Sequence, residues 1–253
     1  MGDVALITGA AVRIGRAIAL ALAADGWAVA IHHNRSADAA RALAEEITAA
    51  GGRAATVAGD LADSGVDALL PAAARALGGP VTALINNASL FERDEIGDVT
   101  VEGWDRQLAV NLRAPFFLSQ AFAGQLPEGT PGNIVNLIDM RVWRLTPHFM
   151  SYTVAKAGLW TLTQTLAMAL APRDIRVNAI GPGPVLANER QTAEQFDKQW
   201  RSTPLGRGAY PEEIAAGVRY ILSAKAMTGQ MIALDGGQHM PWPLPGPGAA
   251  DLD

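Results

Sequence analysis

The chain has 253 residues, a net charge of −5 and no cysteine, which excludes disulfides, thiolate metal sites and a cysteine nucleophile. The mild acidity lacks the basic stripe with which a protein grips nucleic-acid phosphate, and small molecules are the expected partners. Apolar residues make up 49%, yet no run approaches the ~20 apolar residues of a membrane span, and Asp3 interrupts a leader-peptide reading of the start, so a soluble, cytoplasmic protein is expected.

Apolar runs of strand length alternate with stretches of helical period, the pattern of βαβ units. It predicts an α/β, Rossmann-type doubly wound fold with a seven-stranded parallel sheet flanked by helices on both faces, in one domain over residues 1–239. The first strand, 3–8, runs into Thr8-Gly9-Ala10-Ala11-Val12-Arg13-Ile14-Gly15 and a helix over 14–25 that stops at Gly26. Backbone N–H groups at such a junction can face a dinucleotide pyrophosphate. Gly9 permits the tight turn and Gly15 the close approach of helix and strand, while Arg13 stands where many such loops have glycine. The second strand, 28–32, leaves through His32-His33-Asn34-Arg35-Ser36. No carboxylate stands there for a ribose 2′-hydroxyl; a guanidinium and a hydroxyl suited to a 2′-phosphate do, and NADPH is the favoured cofactor.

A helix over 38–50 and a strand over 53–58 lead to Asp60, which could accept from an adenine amino group or cap the helix over 64–77. Strand 82–86 ends at Asn86-Asn87-Ala88, and strand 132–138 at Asp139. Beyond it Tyr152 and Lys156 stand four apart on a helix, so both share one face. An ammonium near a phenol favours the phenolate, which predicts a lowered Tyr152 pKa and a proton donor for a hydride acceptor. Strand 175–180 meets Gly181-Pro182-Gly183; residues 183–210, with Asn188, Glu189, Trp200 and Arg207, read as a long loop able to close over a substrate. Pro211 begins a helix, with Glu212 and Glu213 near its positive end, and a last strand covers 231–234. Residues 240–253 are a Pro/Gly-rich arm carrying Trp242. The four histidines show no metal-ligand spacing, so no metal is expected.

Thr8-Gly9 to Gly15, Asn86-Asn87-Ala88, Asn111, Tyr152-x-x-x-Lys156 and Gly181-Pro182-Gly183, in this order, resemble the short-chain dehydrogenase/reductase family over residues 3 to about 239. The resemblance implies that Tyr152 is the acid, Lys156 holds the nicotinamide ribose and Asn111 supports a relay water. It also implies that Ile14, Leu61, Asn87, Ala88, Pro182, Gly183 and the Val185 backbone line the cofactor, and that the enzyme is a homotetramer. Two departures, Asp139 where most of the family has serine and Arg13 for the middle glycine, are shared with its pteridine and dihydrofolate reductases, as are Asn87-Ala88-Ser89-Leu90-Phe91 and His33-Asn34-Arg35-Ser36. That subgroup implies that Phe91 stacks on a pterin, Ser89 and Arg13 bind pterin and cofactor phosphate, Phe149 walls the pocket, and Asp139 joins Tyr152 in proton delivery.

Chemistry agrees with an imine acceptor, because hydride on carbon demands a proton on nitrogen. A shielded Asp139 with a raised pKa could relay that proton. Asp139 could equally be a turn residue pairing with Arg141, and Phe91 plain core. A carbonyl reductase and a non-catalytic NADPH-binding protein are the alternatives.

Overall fold

The computed structural model describes residues 3–188 and 190–240; Glu189, Trp242 and the arm beyond Met240 lie outside them. Seven parallel strands, β1 (Val4–Ile7), β2 (Ala28–His33), β3 (Arg53–Ala58), β4 (Ala83–Asn86), β5 (Gly132–Leu137), β6 (Ile175–Pro182) and β7 (Met231–Leu234), form one sheet in the order β3-β2-β1-β4-β5-β6-β7. Each expected strand is present. Successive side chains point to opposite faces of a strand, and both faces are apolar. Ile7, Ile31, Ile85 and Val135 pack with α1 (Arg13–Ala24), α2 (Ala37–Ala49) and α8 (Pro211–Ser223). Leu6, Ala30, Leu84 and Ile134 pack on the other face with α3 (Leu69–Leu77), α5 (Ala114–Gln125) and α6 (Met150–Leu170).

Three local features depart from the expectations. The helix read as starting at 64 opens with a 3₁₀ turn at Val66–Ala68 before α3; Pro71, which lacks an N–H, sits in the first turn of α3, where that donor has no helical partner. The segment 183–210 contains α7 (Ala193–Arg201), started by a capping box in which the Thr192 hydroxyl accepts from Gln195 N and the Gln195 side chain accepts from Thr192 N. Between α4 (Val101–Leu108) and α5 the chain takes one π-helical turn, Ala109–Arg113, a widened turn that often marks a functional site.

The strand order reverses between β1 and β4, which opens the carboxyl ends of β1, β4 and β5 to a ligand. A buried polar chain fixes α6 over that crevice. Asn86 Nδ2 donates to Asn136 Oδ1 at 2.8 Å, Asn136 Nδ2 to Thr163 Oγ1 at 2.9 Å, and Thr163 Oγ1 to the Leu159 carbonyl at 2.8 Å. Such a chain ties β4, β5 and α6 into one register, since any slip leaves a buried polar group unpaired.

Candidate active site

The turn after β1 is built for close approach. Gly9 has φ +62°, and a Cβ there would sit 3.0 Å from Ala88 Cα; one on Gly15 would meet the Gly9 carbonyl oxygen at 2.3 Å. Asn87 closes the turn, its Nδ2 donating to the carbonyls of Thr8 and Gly9 at 2.8 and 3.1 Å, while Thr8 Oγ1 accepts from Asn87 N and Ala88 N. Val12 at the head of α1 offers no capping side chain, and the first turn has no acidic residue. Its positive end is therefore left for an external anion, and the fit to a dinucleotide pyrophosphate is good. Asn34, Arg35 and Ser36 are exposed past β2. The Asp60 carboxylate accepts from Ala62 N at 2.9 Å, and that bond, then Asn34 and Arg35, lowers its pKa; the bond closes a local turn and does not cap the following helix, whose 3₁₀ start at Val66 is preceded by Gly65 without a side-chain cap. Leu61 and Val185 are buried, Pro182 ends β6, and a Cβ on Gly183 would lie 2.8 Å from Asp235 Cα.

Arg13 takes a left-handed conformation, φ 56°, which disfavours side chains by about 1–3 kcal/mol. Its guanidinium donates to the carbonyls of Ala187 and Leu186 at 2.8 and 3.2 Å. It thereby fastens the segment after β6 to the phosphate turn, beside Ile14 in the first turn of α1. Two of its five N–H donors are engaged in this way, and the rest remain for the phosphate and pterin expected of it.

Asp139 follows β5. Its Oδ1 accepts from Arg141 N at 2.7 Å and its Oδ2 from the Tyr152 hydroxyl at 3.0 Å. Burial raises the carboxyl pKa, opposed by Arg141, Tyr152 and Lys156. Tyr152 is 5% exposed and Lys156 2%. The expected lowering of the Tyr152 pKa by Lys156 is overturned: burial, then the Asp139 charge, push it well above the ordinary value, and the opposing cation is Arg141. The reason is geometric. Lys156 Nζ donates to the Leu137 carbonyl at 2.8 Å and lies 5.7 Å from the Tyr152 ring centroid. Burial lowers Lys156 itself to about 8.

Asn111 lies within the π-helical turn, fully buried. Its Oδ1 accepts from Ser89 Oγ at 2.8 Å and Leu90 N at 3.2 Å, and its Nδ2 donates to Leu90 O and Gln107 Oε1, both at 2.8 Å. The side chain thus shapes the Ser89–Leu90 corner, and a water would have to meet its backbone. Phe91, next in line, stacks on Phe149 with centroids 4.3 Å apart and rings 3° from parallel, and meets Tyr152 edge-on at 4.7 Å. Phe149, expected as a pocket wall, lies flat on the face of Phe91, in left-handed backbone, φ 59°.

Two participants, Arg190 and Asp94, had no signature in the sequence, and Arg141 was expected only as a partner of Asp139. Arg141 and Arg190 place guanidinium carbons 5.0 Å from the Phe149 ring and 5.8 Å from the Phe91 ring, and Arg141 Nε is buried without a hydrogen-bond partner among the described residues. Asp94, buried in the segment after β4, caps the helix of the acid from outside: its carboxylate accepts Ser151 N at 3.2 Å and the Ser151 hydroxyl, and its carbonyl accepts Phe149 N at 2.8 Å. Among the described residues no group of three or more His, Asp or Glu could hold a metal, and no helix is long and apolar enough to cross a membrane.

A family model described as enoyl-(acyl carrier protein) reductase matches residues 9–239. A structure titled FolM alternative dihydrofolate reductase 1 from Brucella canis, complexed with NADP, superposes with a TM-score of 0.92 at 48% identity, covering 96% of each chain. The chain is 36% identical over 245 residues to the short-chain dehydrogenase/reductase eriH of Hericium erinaceus (93% of this chain, 97% of that one). It is 33% identical over 242 residues to a 3-oxoacyl-[acyl-carrier-protein] reductase of Synechocystis (94% and 97%).

Proposed function

The chain belongs to the short-chain dehydrogenase/reductase family of oxidoreductases, and on that premise we propose that it is an NADPH-dependent reductase of the C=N bond of a dihydropterin or dihydrofolate. The single observation that carries this reading is the 3.0 Å bond between the Tyr152 hydroxyl and a carboxyl whose pKa is raised by burial. NADPH, held by residues 9–15, Asn34, Arg35, Ser36, Asn87, Ala88 and the segment from Pro182 to Val185, supplies the hydride. Arg35, with no carboxylate beside it on the β2 exit, meets the 2′-phosphate.

The chain's own part is the proton. Asp139, whose pKa burial raises, takes up a proton and, with the direction of the 3.0 Å bond reversed, gives it to the Tyr152 oxygen as that hydroxyl gives its own to the substrate nitrogen; the carboxylate left behind faces Lys156 and Arg141 and is reprotonated from solvent. Serine at 139 would orient a carbonyl but could not store a proton. Lys156 is cationic at neutral pH and is anchored to Leu137, from which it reaches the nicotinamide ribose. Phe91 supplies a plate worth about 0.5–1.5 kcal/mol beyond area burial to a flat ring that takes the place of Phe149. Arg141 Nε offers a donor, and Ser89 Oγ, whose proton goes to Asn111 Oδ1, an acceptor to the polar edge of a pterin, a use an alkyl ketone would lack. Steady-state loss of 340 nm absorbance with dihydrofolate, dihydromonapterin and dihydrobiopterin tests the reading, and turnover of none of them rejects it.

The apolar groove of about 420 Å³ lined by Leu108, Leu112, Phe116 and Leu162, beside the exposed Phe117, fits the homotetramer implied by the family; sedimentation of the purified chain reads the assembly. We place the reaction in the cytoplasm, where NADPH is supplied and a cysteine-free chain needs no oxidising environment.

A further inference from the structure

His32, at the end of β2, is 2% exposed, and both of its ring nitrogens are engaged. Nδ1 accepts the Gly9 N–H at 3.1 Å, and Nε2 lies 3.1 Å from the Gly59 carbonyl oxygen. A backbone N–H can only donate and a carbonyl can only accept, so the ring is neutral with its proton on Nε2. Burial keeps it so: the pKa falls to about 4. The His32 carbonyl accepts from Ala10 N at 3.0 Å, and the His33 carbonyl from Gly59 N at 3.0 Å. One residue pair thus grips the turn after β1 and the turn after β3 together.

Those turns carry opposite halves of the cofactor site, the pyrophosphate side at Gly9–Gly15 and the adenine side at Asp60–Leu61. The Gly9 N–H points inward to His32 and not toward a ligand, which fixes the φ +62° turn so that the donors following it, at the head of α1, face the anion. We infer that His32 is a positioning residue for the dinucleotide, a spacer that donates on one side and accepts on the other and sets the separation of the two turns before the cofactor arrives. This rests on reading those turns as the NADPH site. Preorganisation of this kind raises affinity by removing ordering that the ligand would otherwise impose. An apolar ring of similar size would leave the Gly9 N–H and the Gly59 carbonyl unpaired in the interior.

The experiment is calorimetric titration of His32→Phe and wild type with NADPH and with adenosine 2′-phosphate, which spans the adenine side alone. A spacer acts only on a ligand that bridges both turns. His32→Phe is therefore expected to weaken NADPH at least about 10-fold while adenosine 2′-phosphate changes less than about 2-fold, and steady-state KM for NADPH should rise by a larger factor than kcat falls. His32→Asn keeps the Gly9 bond and loses the Gly59 bond; it should show the same split, smaller, and it serves if the Phe variant does not fold. Equal weakening of both ligands, or no weakening of NADPH, overturns the inference. Wild-type protein that binds neither ligand rejects the dinucleotide reading, and the inference falls with it.

Discussion

Tyr152 and Asp139 are joined hydroxyl to carboxyl at 3.0 Å, and burial raises the pKa of both. The influence is one-sided: a charge on Asp139 makes the Tyr152 hydroxyl harder to ionise, because a second negative charge in the same water-poor space is repelled, whereas the hydroxyl, donating to the carboxyl, opposes the rise that burial gives Asp139. Burial thus holds the proton on each group more firmly than water would, and for Tyr152 the neighbouring carboxyl adds to that effect. Lys156, 2% exposed and at about 8, sets the upper edge of the range in which a cation stands nearby.

The pH profile follows from those directions. Reduction needs the Asp139 proton and the Lys156 charge, and both are lost as pH rises, so kcat is expected to fall on the alkaline side and to be low above about 8. Asp139 raises Lys156; in Asp139→Asn the remaining alkaline limb should move to lower pH. A kcat profile from pH 5 to 10 in wild type and variant checks the sign, and an upward shift would contradict it.

Lys156 is held against its own stability. Its folded pKa, about 8 against an ordinary 10.5, means that burying the ammonium penalises the fold by about 3 kcal/mol. That penalty is fully present below about pH 8 and is relieved as pH rises toward the unfolded value. The charge-assisted bond to the Leu137 carbonyl offsets part of it, about 1.5–3 kcal/mol. Lys156→Met is expected to raise Tm at pH 7 by a few degrees while abolishing turnover, with the Tm gain shrinking toward pH 10; calorimetry at the two pH values reads both.

Asp94 ties the segment of Phe91 to the head of α6 through Ser151. Asp94→Ala removes the acceptor of a buried N–H, which costs about 1–3 kcal/mol, and frees the start of the helix that carries Tyr152. A fall in kcat of about 10-fold or more is expected, with NADPH affinity little changed. Asp94→Asn, which can accept the N–H and donate to the Ser151 hydroxyl, should recover most of it. An Asn variant as poor as Ala would show that charge, not the cap, is what matters.

Arg35 is expected to set cofactor preference. A charge-assisted bond to phosphate is worth about 1.5–3 kcal/mol, so Arg35→Ala should raise KM for NADPH about 10- to 100-fold and leave KM for NADH within about 2-fold. Equal effects on the two would remove Arg35 from the 2′-phosphate site.

Much of this was legible in the sequence because it is local or periodic. Strand positions follow from apolar runs between glycines, and Thr8-Gly9 to Gly15 and Tyr152-x-x-x-Lys156 mark turns and a helix face whatever the rest of the chain does. Even α7, read as loop, was announced by Thr192-x-x-Gln195, a capping-box spacing. What the sequence could not reveal depends on distant segments meeting. Asp94 reaches Ser151 across 57 residues and His32 reaches Gly9 and Gly59 across 23 and 27, contacts that only the sheet order creates. The direction of the Tyr152 shift was misjudged for the same reason: helical spacing brings Lys156 near, but the Leu137 carbonyl orients its ammonium and the Asp139 carboxyl takes the hydroxyl.

The central claim is that the carboxyl of Asp139 serves proton transfer to nitrogen. The most direct measurement is kcat/KM of wild type and Asp139→Ser with two acceptors under NADPH, a 7,8-dihydropterin and a simple aryl ketone. The expected result is a loss of about 10²-fold or more on the dihydropterin, with the ketone rate kept or raised. Equal losses on both acceptors, or an unimpaired dihydropterin rate, would contradict it.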